Sequence, residues 1–206
     1  MLLKKISIVM MVLFVVALPA MNRPPIKSTR TAIVSDPYSI FRAAERGNIT
    51  VIRKMIADRV DLNQVDKVFG NTPLIIAAMN GKTDVMEALI EAGAKLDIKN
   101  TADENAMFAA VRTGQVESVR TLLKAGMSPN QREDLGLGGG QTLLMIATQN
   151  NNPEIVKLLV EEGADTRAQL PGMEHLQRRT AGQMVERSPN QDEIKAYTQY
   201  KKEKLP

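Results

Sequence analysis

The sequence predicts an all-α fold, a solenoid of four to five helix-turn-helix repeats with long finger loops. Three observations carry this. Of 206 residues 44% are hydrophobic, only 3% are aromatic and none is Trp. The core must therefore be built from Leu, Ile, Val, Met and Ala, a set that favours helices over a sheet sandwich. A short motif also returns along the chain: Thr72-Pro73-Leu74-Ile75-Ile76-Ala77-Ala78, then Asn105-Ala106-Met107-Phe108-Ala109-Ala110, then Thr142-Leu143-Leu144-Met145-Ile146-Ala147. Finally, each motif is followed by an amphipathic segment that stops at glycine: Val85 to Gly93, Ser118 to Gly126 and Ile155 to Gly163. Glycine supplies the left-handed residue that commonly closes a helix.

The N-terminal residues have a different character. Lys4 and Lys5 precede an apolar run from Ile6 to Leu18, broken by Ser7 alone and followed by Pro19 and Ala20. This is the anatomy of a signal peptide over residues 1–20, and the run is shorter than the roughly 20 apolar residues a membrane span needs. Val15-Val16-Ala17 offers small residues for cleavage, whereas cleavage after Ala20 places bulky Leu18 three residues upstream, so an uncleaved anchor stands as the alternative. Residues 21–35, with Pro24-Pro25, Lys27 and Arg30, have no sustained period and read as a flexible linker. The repeat domain is expected over 36–200, with repeats at about 36–69, 70–102, 103–139 and 140–177, a cap at 178–200 and a charged tail at 201–206.

The helix pairs follow from the period. Thr72 and Asn105 are 33 residues apart, and Ser39-Ile40-Phe41-Arg42-Ala43-Ala44 is a degenerate first copy. Arg59 stands where the other units have their closing glycine, so the first unit should have the least comfortable helix end. Spacings of 37 and 38 residues later in the chain mark insertions at Asn130 to Gln141 and Thr166 to Arg178.

A 33-residue unit with Thr-Pro-Leu-x-x-Ala-Ala and a glycine-stopped helix resembles the ankyrin repeat. The resemblance covers about Asp36 to Tyr200, strongest in repeats two to four. It implies a non-catalytic module that binds another protein through a concave groove and its finger loops. Where the family usually has histidine after Pro-Leu, this sequence has Phe41, Ile75, Phe108 and Met145. Apolar packing should replace the family's polar bridge there, with looser turns as the expected consequence.

The resemblance places the binding surface just before each first-helix glycine and on the fingers. The candidates are Met79, Asn80, Arg112, Thr113, Gln149 and Asn150, beside Glu45 and Arg46 in the first unit, together with the apolar loop residues Val68, Phe69, Leu135, Leu137 and Met173 and the loop histidine His175. Apolar loop residues either fold back onto the stack or await a partner.

Other chemistries find little support. There is no cysteine, which removes disulfides and thiol chemistry. His175 is the single histidine, so neither a histidine metal cluster nor a triad can form around it. Gly136-Leu137-Gly138-Gly139-Gly140 lacks the Lys-Ser/Thr pair of a phosphate loop. Glu161-Glu162 and Glu133-Asp134 fall where solvating charge is ordinary. No catalytic residue, cofactor or metal is expected. Formal charge is +4, and +2 without Lys4 and Lys5, with no basic face apart from Lys201, Lys202 and Lys204, so nucleic acid is not an expected partner. The expected partner is a protein, met in the bacterial periplasm by a chain that is monomeric on its own. An inner-membrane tether facing the periplasm, acting as a scaffold, is the alternative. Export without cysteines suits a bacterial envelope.

Overall fold

The computed structural model describes residues 39–133 and 140–168. The expected signal, linker, cap and tail lie outside them, as do Leu135, Leu137, Met173 and His175.

The described residues form eight helices: α1 (Ser39–Arg46), α2 (Ile49–Ala57), α3 (Pro73–Met79), α4 (Thr83–Glu91), α5 (Ala106–Arg112), α6 (Val116–Lys124), α7 (Leu143–Gln149) and α8 (Pro153–Glu161). They pair as hairpins, α1 with α2 through α7 with α8. The odd-numbered helices form an inner row in which α3 packs on both α1 and α5, and α5 on α7. The even-numbered helices form a parallel set of contacts, α2 to α4 to α6 to α8. This is the nearest-neighbour stacking of an all-α repeat solenoid.

Local chemistry starts the inner helices α3, α5 and α7. Thr72 Oγ1 accepts from Ile75 N at 3.1 Å, Asn105 Oδ1 from Met107 N and Phe108 N at 3.0 and 3.2 Å, and Thr142 Oγ1 from Met145 N at 3.3 Å. Each cap satisfies N–H groups that a helix start would otherwise leave bare. Pro73 sits in the first turn of α3, where its missing N–H costs nothing. Of the inner helices, α3, α5 and α7 are buried almost all round, Ala106 to Val111 without interruption, whereas α1 exposes Arg42, Glu45 and Arg46. The even-numbered helices bury one face, for example Val85, Met86 and Leu89 in α4.

Phe41, Ile75, Phe108 and Met145 all lie in the core. Apolar packing thus occupies the slot of the family's histidine, but the turns are not loose. Besides the caps, Asn100 Nδ2 donates to Asn71 Oδ1 at 2.9 Å and Asn105 Nδ2 to Gln131 Oε1 at 2.7 Å, so polar ties between units run through asparagine.

Two positions strain the pattern. Arg59 takes φ 56° where Gly93, Gly126 and Gly163 take 87° to 93°, a region in which a Cβ is disfavoured by about 1–2 kcal/mol. Ser118 fills the core slot of Val85 and Ile155, is fully buried, and its hydroxyl has no hydrogen-bond partner. Replacing Arg59 by Gly should relieve the first, giving a net gain of up to about 1 kcal/mol after the added freedom of the unfolded chain is deducted. Ser118→Val should stabilise by about 1 kcal/mol by removing an unsatisfied hydroxyl. Thermal melts check both: each should raise Tm by about 2–4 °C, and an unchanged or lower Tm refutes the assigned strain.

Candidate functional site

The first finger, between α2 and α3, is organised by one carboxylate. Asp66 Oδ1 accepts from Val68 N at 2.9 Å and Phe69 N at 2.8 Å, and Oδ2 accepts from Asn71 N at 2.8 Å. The Asp66 and Asn71 backbones also pair, through Asp66 N to Asn71 O at 2.9 Å. Residues 66–71 are thereby folded into a tight hairpin with Lys67, Val68 and Phe69 at its tip. In the second finger Asn100 does the same work, its Oδ1 accepting from Ala102 N and Glu104 N at 2.9 and 3.0 Å. The two fingers are joined side by side: Thr101 N and Thr101 Oγ1 both donate to Phe69 O at 2.9 Å.

With its backbone used internally, this finger turns its side chains outward. Val68 is 73% exposed, Phe69 62% and Val65 49%. Among the described residues these are the exposed large hydrophobics. Val68 and Phe69 do not fold back onto the stack.

The residues at the ends of the inner helices behave differently from one another. Met79 is half-buried and packs on the core. Asn80 Nδ2 donates to Ile76 O at 2.8 Å and Thr113 Oγ1 to Ala109 O at 2.8 Å, so both close their own helix ends. Asn150 Nδ2 reaches the neighbouring unit and donates to Arg112 O at 3.2 Å. Gln149 is exposed and makes no such bond.

Arg112 is a clamp. Its Nε donates to Glu104 Oε1 and its Nη2 to Glu133 Oε1, so one guanidinium joins the roots of the second and third fingers. The arginine is half-exposed, whereas both carboxylates are nearly buried. Burial works against the guanidinium's charge, but Glu104 and then Glu133 outweigh it and raise its pKa. Arg112 therefore spends its charge on the fold, and only part of its surface is open to a partner.

The structure thus brings Val68 and Phe69 together at one tip, and Arg112 and Asn150 together at one helix end. Sequence reasoning missed Val65, the organising Asp66, and Glu104 and Glu133 as partners of Arg112. A signal existed for Asp66. Asp66, Asn100 and Glu133 follow one another at 34 and 33 residues, so one repeat slot carries an acceptor side chain each time. Among the described residues no group of His, Cys, Asp or Glu could hold a metal ion, and no helix is long and apolar enough to cross a membrane.

Asp66 gives a pH-dependent expectation. Partial burial opposes its ionisation, but the N–H groups of Phe69, Val68 and Asn71 outweigh this and hold its pKa below the ordinary value. A carboxylate whose pKa is lowered by folding contributes its full stability above the unfolded value of about 4, and loses it as pH falls through the folded value. Asp66→Ala should cost about 1–2 kcal/mol at pH 7, and the gap to wild type in urea unfolding should narrow as the pH drops below about 4. A gap independent of pH would show that the carboxylate charge does not organise the finger.

Comparison with known proteins fits this architecture. A model of three ankyrin-repeat copies matches residues 40–133, and a single-repeat model matches residues 139–169. Inversin of Gallus gallus is 30% identical over 125 residues, 61% of this chain and 11% of that protein. The ankyrin repeat domain-containing protein SAT10 of Stachybotrys chartarum is 29% identical over 61% of this chain and 6% of its own length. An ankyrin repeat protein of Rickettsia felis is 26% identical over 66% of this chain and 46% of its own length. The chain therefore spans less than half of each of these relatives, and the likeness lies in the repeats. With the repeating caps, the paired helices and the matched models all in agreement, the chain belongs to the ankyrin-repeat family.

Proposed function

We propose that this chain is a non-catalytic recognition module that grips one partner protein through the tip of its first finger and the adjoining ends of the inner helices. Ankyrin repeats are generic protein-protein interaction modules. The observation that carries the reading is the exposure of Val65, Val68 and Phe69 on a hairpin whose backbone is fixed by Asp66 and Thr101. Exposed aromatic and aliphatic side chains on a rigid support are what a binding hot spot requires, because little conformational freedom remains to be lost on docking. Gln149 and the open edge of Arg112 supply polar contacts at the rim.

The setting we propose is the bacterial envelope, on the basis of Lys4-Lys5 and the apolar run Ile6 to Leu18. There the module would neutralise a toxin or serve as an accessory of a periplasmic enzyme. N-terminal sequencing addresses the location: a mature start after Ala17 or Ala20 supports release into the periplasm, whereas an intact N-terminus overturns it in favour of the tethered scaffold.

Photo-cross-linking tests the site without disturbing the Arg112 clamp. A photoreactive residue at Val68 or at Gln149 should trap the same single protein in cells, whereas one at Lys124, on α6, should not. Equal trapping at Lys124, or different proteins at Val68 and Gln149, would overturn the assignment.

A further inference from the structure

The outer helices carry a feature that the first finger and the inner helices do not explain. Between α2 and α4 runs an open groove of about 490 Å³, with Ile49, Ile56 and Ala88 among the residues that line it. It is lined by two facing stripes. Ile49, Arg53 and Ile56 follow one another on α2 at helical spacing, and Asp84, Glu87, Ala88 and Glu91 do so on α4. Residues three, four and seven apart lie on one helix face, so the stripes run for about two turns. Small side chains leave this room. Ala88 stands where α6 has Thr121 and α8 has Leu158.

Charge in the groove is one-sided. Asp84, Glu87 and Glu91 are all exposed, and among the described residues none of them is in an ion pair. Elsewhere exposed charges on the same stack do pair, Lys54 with Asp58 and Arg120 with Glu117. Arg53 is the single cation of the lining, which leaves a net charge of −2 against three carboxylates. Like charges at this spacing repel one another along a helix. Glu91 also sits in the last turn of α4, where the helix dipole favours a cation and no basic residue is present. Asp84, in the first turn, suits the dipole, so the unfavourable part of the stripe for α4 by itself is Glu87 and Glu91.

We propose that this groove is a second docking surface, and that its occupant is a basic amphipathic helix of a partner protein. Lysines or arginines at three- and four-residue spacing on such a helix would face Asp84, Glu87 and Glu91. An aliphatic residue of the same face would enter the space above Ala88, between Ile49 and Ile56. This is helix-in-groove recognition, with anchors repeating every three or four residues. Acidic segments are repelled by the same stripe, which gives the surface its selectivity. The groove shares no residue with the finger, so the two surfaces can be occupied together.

The test uses the full chain and a synthetic helical peptide of about 15 residues, with lysines spaced like Asp84, Glu87 and Glu91 and a leucine on the same face. Amide chemical shifts should move at Ile49, Ala88 and Glu91 on titration. Binding should weaken about tenfold in the double variant Glu87→Lys/Glu91→Lys, and wild-type binding should weaken between about 50 and 300 mM salt. Ala88→Leu should also weaken it, by filling the groove. In the double variant a lysine at 87 meets Asp84 three residues away and a lysine at 91 suits the C-terminal end of the helix dipole, while the repulsion between 87 and 91 is unchanged in kind. The variant should therefore melt at or above the wild-type temperature, which separates lost binding from lost folding.

The proposal is overturned if the double variant binds as wild type does, if a glutamate-substituted peptide binds equally, or if the shifts map to Val68 and Phe69. It is equally overturned if sedimentation shows self-association that Ala88→Leu abolishes, since the groove would then join two copies of the chain. Val68→Asp should leave peptide binding intact, so failure of the finger site and failure of the groove are read separately.

Discussion

A two-helix unit of this chain cannot bury its own apolar surface, and most of the rest of the structure follows from that. Inner helices α3, α5 and α7 are apolar nearly all round. Phe108 and Met107 can leave water only because α3 lies on one side of α5 and α7 on the other. Burial of each such side chain is worth about 1.5–3 kcal/mol, and it is realised only between neighbours. The short helices of seven to nine residues would not persist alone in water. Stacking makes them possible, and the caps at Thr72, Asn105 and Thr142 set where each begins.

Within that stack, polar side chains act mainly as connectors. Asn63 Oδ1 accepts from Lys95 N at 2.8 Å, and Asn130 Oδ1 accepts from Asp165 N at 2.7 Å, each across one unit boundary. Arg112, Asn150 and the Asn71–Asn100 pair do the same on the finger side. Apolar burial holds the helices together without fixing their register, whereas directional hydrogen bonds between consecutive units set each against the next. The substitution of Phe41, Ile75, Phe108 and Met145 for the family's histidine is tolerable for this reason, because the orienting work has passed to asparagine and threonine.

Much of the fold was legible from the chain because its determinants are local and repeat. Thr72-Pro73, Asn105 and Thr142 announce helix starts, and Gly93, Gly126 and Gly163 announce ends. Even the irregular Arg59 signalled its strain by standing in a glycine slot. The candidate site was harder to read because its determinants are neither. Arg112 read as a groove cation open to a partner, yet Glu104 and Glu133, 8 and 21 residues away, are carried to it by the fold. Asn80 and Thr113 read as contact residues, but as polar side chains at helix ends they turn back to nearby carbonyls. Val68 and Phe69 were visible as apolar residues in a loop, and what no local rule could say was whether they pack inward. The outer groove was invisible for a similar reason: Ala88 matters only because α2 lies opposite.

The tie between Phe69 and Thr101 has a mechanical meaning. A pull on the exposed Phe69 ring is transmitted to its carbonyl, where two hydrogen bonds from Thr101 pass it into the second finger. The adjacent Asn71–Asn100 bond takes part of the same load. These bonds would have to break for the first finger to peel away from the second. A partner attached at that tip would therefore pull on two repeats at once, and the first unit, with the strained helix end at Arg59, would be spared from carrying the whole force.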